Sequence, residues 1–368
     1  MNHLRESLSY FWNNVYGFLF PFIEEETGPL NEKQMQLIAI LEMTKIEKFI
    51  PSDSYCVGRP TDSRQAIARA FVAKSVYNIP TTCALIERLT ADATLRRICG
   101  WFSKNDVPGD WTFSRAFAEF SETSLPAVVH ESLIKATKKG QITGHVSRDS
   151  TEIDAREKAA KKPKEEAKET QKFSRGRPKK SEIRPSPEPT RLEKQQNMSL
   201  DEMLKDLPKA CDIGTKKNSN GFKVSWKGYK LHIDAADGQI PISCILTSAS
   251  LHDSQAALPL ALITKDRTES LYDLMDAAYD SKIIRDFSEN LGHVPIIDFN
   301  QRRGEKKEFD PAKKERYKER TNVERVNSRL KDEFGGKTLR VRGHAKVFTH
   351  LMFGILALTA DQLMKFII

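Results

Sequence analysis

Between residues 31 and 140 apolar side chains recur at helical spacing, as in Met35, Ile38 and Leu41 and again in Leu85, Ile86 and Leu89, which predicts an all-helical unit. Ser63 to Tyr77 and Thr82 to Cys99, separated by the break Asn78-Ile79-Pro80, have the layout of a helix-turn-helix with Arg88, Arg96 and Arg97 outward. An ordinary helical hairpin with a basic outer face fits the same pattern. Trp111 opens another helix after the Pro108-Gly109 turn, and Gly140 ends its neighbour. Farther on the pattern turns to strands. Tyr229 to Ile233 and Ile240 to Thr247 are β-branched runs joined through Asp237-Gly238, a pair suited to a tight hairpin. Asp253 can cap a helix reaching about Ile263, Ser270 to Met275 is a short strand ending at Asp276, Ser281 begins a helix, and Val294 to Asn300 is a buried strand. Gly144 to Thr151 supplies an earlier strand. Val347 to Ile368 is apolar enough to suggest a membrane span, but His350, Asp361, Gln362 and Lys365 interrupt it. A charge near a bilayer centre costs about 2.5 to 3.5 kcal/mol on insertion scales, so this stretch reads as a buried core helix and no membrane partner is expected.

Residues 155–200 break the pattern, with fourteen Lys or Arg, seven Asp or Glu, five Pro and almost no large apolar side chains. Such a segment cannot bury enough surface to offset its ordering entropy, so a basic, disordered linker is expected over 155–208. It holds most of the chain's net charge of +9. Arg175 and Arg177, in Arg175-Gly176-Arg177-Pro178-Lys179-Lys180, have the form of a short arm for the minor groove, with a solvated charge run as the plain alternative. The stretch Lys337 to Lys346, with Arg340 and Arg342, is aligned for phosphate contact or forms a solvated loop. A pI near 9.1 favours a polyanionic partner over an acidic small molecule. Five scattered cysteines without a CxxC pair suit a reduced, cytoplasmic protein. At 368 residues the chain exceeds what one core usually supports, so two domains are expected: a helical DNA-binding unit over 1–140 and an α/β unit over 141–368. The order strand, hairpin, helix, strand, helix, strand, helix in the second is that of a ribonuclease H-like fold, a mixed five-stranded sheet flanked by helices.

Metal-assisted phosphodiester chemistry needs acids converging from different elements, because Mg²⁺ prefers oxygen ligands. Asp149 lies on the first strand and Asp276 at the end of a later one, where a loop opens toward a site. Asp280 is the rival of Asp276 but sits as a helix-start residue. His252-Asp253 resembles a catalytic pair, although helix capping is the plainer reading. Tyr317, Arg320, Glu324 and Lys331 follow at intervals that place all four on one helical face. A carboxylate flanked there by an aromatic ring and two cations suits a metal site beside a DNA phosphate.

These residues resemble the bacterial insertion-sequence transposases of the DDE class that carry the Y-x2-R-x3-E-x6-K signature, and Asp276-Ala277-Ala278-Tyr279-Asp280-Ser281 is similar to their second-aspartate motif. The resemblance implies an enzyme that binds the terminal inverted repeats of its element, hydrolyses strands and transfers 3′-hydroxyl ends to target DNA. It implies Asp149, Asp276 and Glu324 as ligands of Mg²⁺, with Mn²⁺ as a substitute, and Tyr317, Arg320 and Lys331 as phosphate contacts. It also implies a homo-oligomer, a dimer, on double-stranded DNA. The interval from Asp276 to Glu324 is too short for the large β-rich insertion of some hairpin-forming relatives. The rival readings are a noncatalytic, domesticated DNA-binding protein and a nuclease that cuts without joining.

Overall fold

Side-chain caps set the helical half in a computed structural model of the chain, which describes residues 10–51, 62–138, 140–160, 188–217, 220–300 and 308–366. After α1 (Phe20–Thr27), Asn31 and Gln34 form a capping box that starts α2 (Glu32–Thr44), and Ser63 caps α3 (Arg64–Val76). Thr81 starts α4 (Thr82–Ala91), and Asp92, accepting from the Leu95 amide, starts α5 (Ala93–Cys99). The expected single helix over Thr82 to Cys99 is therefore two. Arg96 is buried rather than outward, because its guanidinium donates to the Leu89 and Thr90 carbonyls that the end of α4 leaves open, each at 3.0 Å. Arg97 is tied to the Glu26 carbonyl and Arg88 to Asp92. The helix-turn-helix reading thus loses its continuous second helix and one of its three arginines. α6 (Asp110–Glu122) and α7 (Leu125–Lys138) complete this half.

Among the described residues the second half is built on a six-stranded mixed sheet, one strand more than expected. β1 (Ile142–Asp154) pairs antiparallel with β3 (Lys223–Ala236), from Val146 opposite Ala236 to Asp154 opposite Gly228. β3 turns at Asp237-Gly238 into β4 (Ile240–Ser248), as the hairpin signal predicted. On the other side of β1 lie β5 (Glu269–Met275) and β6 (Val294–Ile297), both parallel to their neighbours. The extra strand is β2 (Asp212–Lys217), which pairs with the first part of β3. Its one large apolar residue, Ile213, is exposed, so it carried no burial signal.

The C-terminal part of the expected linker is folded, which corrects that expectation for residues 188–208. α8 (Arg191–Gln195) and α9 (Leu200–Asp206) each begin with a full capping box, Thr190 with Glu193 and Ser199 with Glu202. Met203 is buried with Tyr279 and Ile284, and Leu192 and Met198 pack against that cluster. The Arg175–Arg177 segment lies outside the described residues.

α10 (Ala257–Arg267) packs on β3, β4 and β5, α11 (Lys282–Asn290) leads into β6, and α12 (Pro311–Tyr317) is joined by a 3-10 turn to α13 (Thr321–Asp332). The apolar C-terminal stretch is α14 (His344–Lys365), the one helix among the described residues long and apolar enough to cross a membrane, and it is buried as expected of a core helix. It packs against α2, α3, α6 and α7 on one side and β4 on the other, so one apolar cluster runs from the helical half into the sheet. The polar residues that interrupt it have partners there. Asp361 accepts from Arg329 at 2.7 Å and from Gln36 at 2.5 Å, and Gln362 donates to the Gly238 carbonyl at 2.7 Å.

Candidate active site

Arg148 and Asp149 are neighbours on β1 and point to opposite faces of the sheet. On the α10 face, Arg148 donates to both oxygens of Asp234 at 2.8 and 2.7 Å, and Thr264 adds a third bond to the same carboxylate at 2.6 Å. Asp234 is fully buried, so this charge is satisfied by a bidentate partner and a hydroxyl. On the other face, Asp149 accepts from the Asn327 amide of α13 at 3.2 Å, and Ser147 donates to the Glu319 carbonyl at 3.0 Å. Val323, Val326 and Leu330, all fully buried, seat α13 against the sheet. Glu324, adjacent on the helix, is left half-exposed.

Arg320, at the end of the 3-10 turn before α13, stands among all three predicted carboxylates. Its Nη2 is 4.0 Å from Asp149 and 3.9 Å from Asp276, and its Nη1 donates to Glu324. The Asp149 and Asp276 oxygens are therefore no farther apart than the sum of those two distances, inside the ~10 Å over which carboxylates can serve a metal pair spaced by ~4 Å. The three acids come from β1, from the end of β5 and from α13. No three acids, histidines or cysteines among the described residues are drawn in to ligating distance; these three surround a guanidinium instead.

Burial pushes the Asp149 carboxyl up to about 6 against the pull of Arg320, and the charges of Asp276 and Asp253 add to it. Burial raises Asp276 as well, opposed by the Ala278 amide that bonds it at 2.9 Å and by Arg320. Tyr279 is fully buried and its hydroxyl has no hydrogen-bond partner among the described residues; burial and the negative charges of Asp253, Asp149 and Asp276 hold its proton on. The side-chain oxygen of Asn327 is also buried without a partner among the described residues. Asp149 and Asp276, two carboxylates whose ionised forms burial disfavours, suit a hard divalent cation that would restore the missing positive charge.

Asp253, expected at a helix cap, does not serve as one. His252 takes that role, its ring nitrogen accepting from the Ser254 amide. Asp253 pairs with Lys230 of β3 at 2.8 Å and bonds Ser150; burial opposes its ionisation, but Lys230, His232 and that bond hold its carboxyl below the usual range. No spacing in the sequence links Lys230 to Asp253, because the pairing is made by the sheet. Asp280 ties α11 to the loop after β6, taking Arg285 at 2.9 Å and the Asn300 amide at 3.0 Å.

The four signature residues do not share one continuous helix. Tyr317 ends α12, Arg320 ends the 3-10 turn, and Glu324 and Lys331 lie on α13. The Tyr317 ring meets Phe309 at a tilt of 44°, with centroids 5.0 Å apart, and burial pushes its hydroxyl up to about 12. Lys331 reaches Glu152 of β1 at 3.3 Å rather than the three carboxylates. Arg340 and Arg342 are exposed in the loop before α14.

Residues 25–119 match a family model described as a transposase domain, DUF772, and residues 191–360 match the transposase DDE domain. Asp276, Tyr317, Arg320, Glu324 and Lys331 fall inside the second match, whereas Asp149 lies between the two. The chain matches no curated protein and no solved structure. A helical half and a carboxylate-bearing half that both match transposase domains place the chain among the DDE transposases of insertion sequences.

Proposed function

We propose that this transposase binds the terminal inverted repeats of an insertion sequence, hydrolyses DNA strands there and joins the freed 3′-hydroxyls to target DNA, using Asp149, Asp276 and Glu324 of a ribonuclease H-like domain. The observation that carries the reading is the convergence of these three acids, from three separate elements, on one cation, Arg320. The strand order β4-β3-β1-β5-β6, antiparallel and then parallel, supports the ribonuclease H-like assignment for residues 141–368, with 1–140 as the helical DNA-binding unit. Mg²⁺, with Mn²⁺ as a substitute, would be held by the three carboxylates and would supply charge stabilisation to the oxygens that attack and leave phosphorus.

In the first step water adds to phosphorus and the 3′-oxygen leaves as a hydroxyl. In the second, that hydroxyl adds to a target phosphorus and displaces another 3′-oxygen, so one phosphodiester breaks for each one formed. Asn327 orients Asp149 through its amide, and the Ala278 amide orients Asp276. Tyr317, Arg320 and Lys331, with Arg340 and Arg342 nearer α14, are assigned to DNA phosphates, and the working form is a dimer on double-stranded DNA in the cytoplasm.

The test uses an oligonucleotide carrying the element end, recognised by the inverted repeats that bracket the gene. Asp149→Ala, Asp276→Ala and Glu324→Ala should each abolish Mg²⁺-dependent nicking and joining while sparing binding. Cleavage retained by any one of them removes that residue from the site, and nicking without joined products in the wild type replaces the transfer step with simple hydrolysis.

A further inference from the structure

Away from the carboxylates, a cavity of about 290 Å³ opens between α3, the first turn of α4, α6 and the start of α14. Three cations line it, Lys74 from α3, Arg342 from the loop before α14 and Lys346 from its first turn, and no carboxylate among the described residues does so. Lys74 is only 7 % exposed, while Arg342 and Lys346 are open to solvent at the mouth. None of the three has an ion-pair partner among the described residues. Thr82 and Ser114 add hydroxyls to the wall, and Phe71, Phe113 and Phe117 form its apolar base. His350 contributes no positive charge, because burial, and then the charge of Lys74, lowers it to about 4, and its ring nitrogen is bound to the Gly335 carbonyl at 3.0 Å.

A buried ammonium with no counter-charge is costly, and burial alone lowers Lys74 to about 8. Three cations without a counter-charge and two hydroxyls in one lining give an uncompensated positive charge with the donor set of an oxyanion site. The loop before α14 also carries the exposed cations Lys337 and Arg340.

We infer that this cavity is a phosphate site that grips one backbone phosphate of bound DNA, with Lys74 at its back and Arg342 and Lys346 at its mouth. The inference rests on the DNA-acting function proposed above, yet it is read by binding and not by cleavage. The full chain is titrated with a short random-sequence duplex across a salt series. Lys74→Met should weaken binding about tenfold and make the log–log salt dependence shallower by about one, as expected for one lost phosphate contact. Its thermal midpoint should stay level or rise, since methionine removes an unpaired buried charge. A purely structural lysine would do the reverse, lowering the midpoint and leaving the slope. A folded Lys74→Met protein with the wild-type slope overturns the inference.

Should Lys74→Met fail to fold, the double variant Arg342→Gln/Lys346→Gln at the exposed mouth must show the shallower slope, and an unchanged slope there overturns it equally. Thermal unfolding in inorganic phosphate, against chloride at matched ionic strength, separates the sources of the ligand. Phosphate should stabilise the wild type and not Lys74→Met. Stabilisation by phosphate without any change in the DNA slope overturns the backbone assignment in favour of a free-phosphate site. If the wild type binds no duplex at all, the proposed function fails, and the phosphate comparison alone then decides whether the cavity is an anion site.

Discussion

Asp149→Asn should stabilise the protein in a chelator-containing buffer while abolishing its chemistry. The amide keeps the shape of the carboxylate and can still accept from Asn327, so the change removes little but charge. The carboxyl lies at about 6 in the folded protein against an ordinary 3.8, a difference worth about 3 kcal/mol at ~1.4 kcal/mol per pH unit. Its side chain is 20 % exposed, and removing the charge also takes one partner from Arg320, so the gain expected is nearer ~2 kcal/mol. The sign follows from linkage. A carboxyl whose folded value is raised contributes its full stability below its unfolded value, loses it as pH climbs through about 6, and leaves a constant penalty above that. Urea unfolding of both proteins from pH 4 to pH 8 should therefore show curves that coincide at the acid end, separate between about 4 and 6, and run parallel beyond. A wild type as stable as the variant at pH 8, or a gap of the same size at every pH, would refute the claim that Asp149 is held in an unfavourable charge state.

Asn327→Leu removes the amide that orients Asp149; nicking of element-end DNA should slow by about ten- to a hundredfold at unchanged duplex affinity, and an unchanged rate would show that Asn327 does not position the acid. Arg148→Met strands the fully buried Asp234 with Thr264 as its remaining named donor, so chemical denaturation should register a loss of about 3 to 5 kcal/mol, most of it recovered in the double variant with Asp234→Leu. If the double variant is no more stable than the single one, the pair is not the source of the cost. Gly354→Ala on α14 would place a methyl 2.5 Å from the Phe334 carbonyl oxygen; the backbone must move, and a thermal midpoint lowered in keeping with about 1 to 3 kcal/mol is expected, whereas an unchanged midpoint would mean the two segments separate freely.

How much of this was legible in the sequence depended on whether a feature is local. The β3–β4 hairpin was, because Asp237-Gly238 carries the turn and the flanking runs are β-branched, and Gly238 and Gln239 do adopt positive φ. α14 was legible because the charges that interrupt it are incompatible with lipid. α8 and α9 could have been read from Thr190-x-x-Glu193 and Ser199-x-x-Glu202, but the compositional bias of the segment obscured two local capping signals. The break at Asp92 was of the same kind, a capping residue inside an apolar pattern that continues past it. Glu324 and Arg320 stood out by spacing. Asp253 did not, since its place beside Asp149 and Asp276 follows from the β3 lysine it pairs with, and a side chain that meets its partner across a sheet leaves no periodic trace.

The basic excursion after β1 raises the question of how Asp149 keeps its position when the chain leaves the sheet so soon after it. Both ends of the excursion are fixed. On the way out, β1 stays paired with β3 as far as Asp154, the Ala155 amide donates to the Lys227 carbonyl at 2.9 Å, and the Ala160 amide donates to the Cys211 carbonyl at 2.8 Å. Between them, the Glu157 carboxylate takes the Tyr229 hydroxyl and the Gly343 amide. On the way back, Arg191 of α8 holds Asp206 at 2.6 Å and Gln255 at 2.8 Å, so the returning chain is anchored before β2 begins. Closing a loop between fixed ends costs only about 0.6 kcal/mol more for each doubling of its length. The position of Asp149 is thus set by the β1–β3 register and by Asn327, and it is indifferent to how much chain is inserted beyond Ala160. The same separation accounts for a family match that resumes at residue 191 while the strand bearing Asp149 still lies in register beside the matched strands.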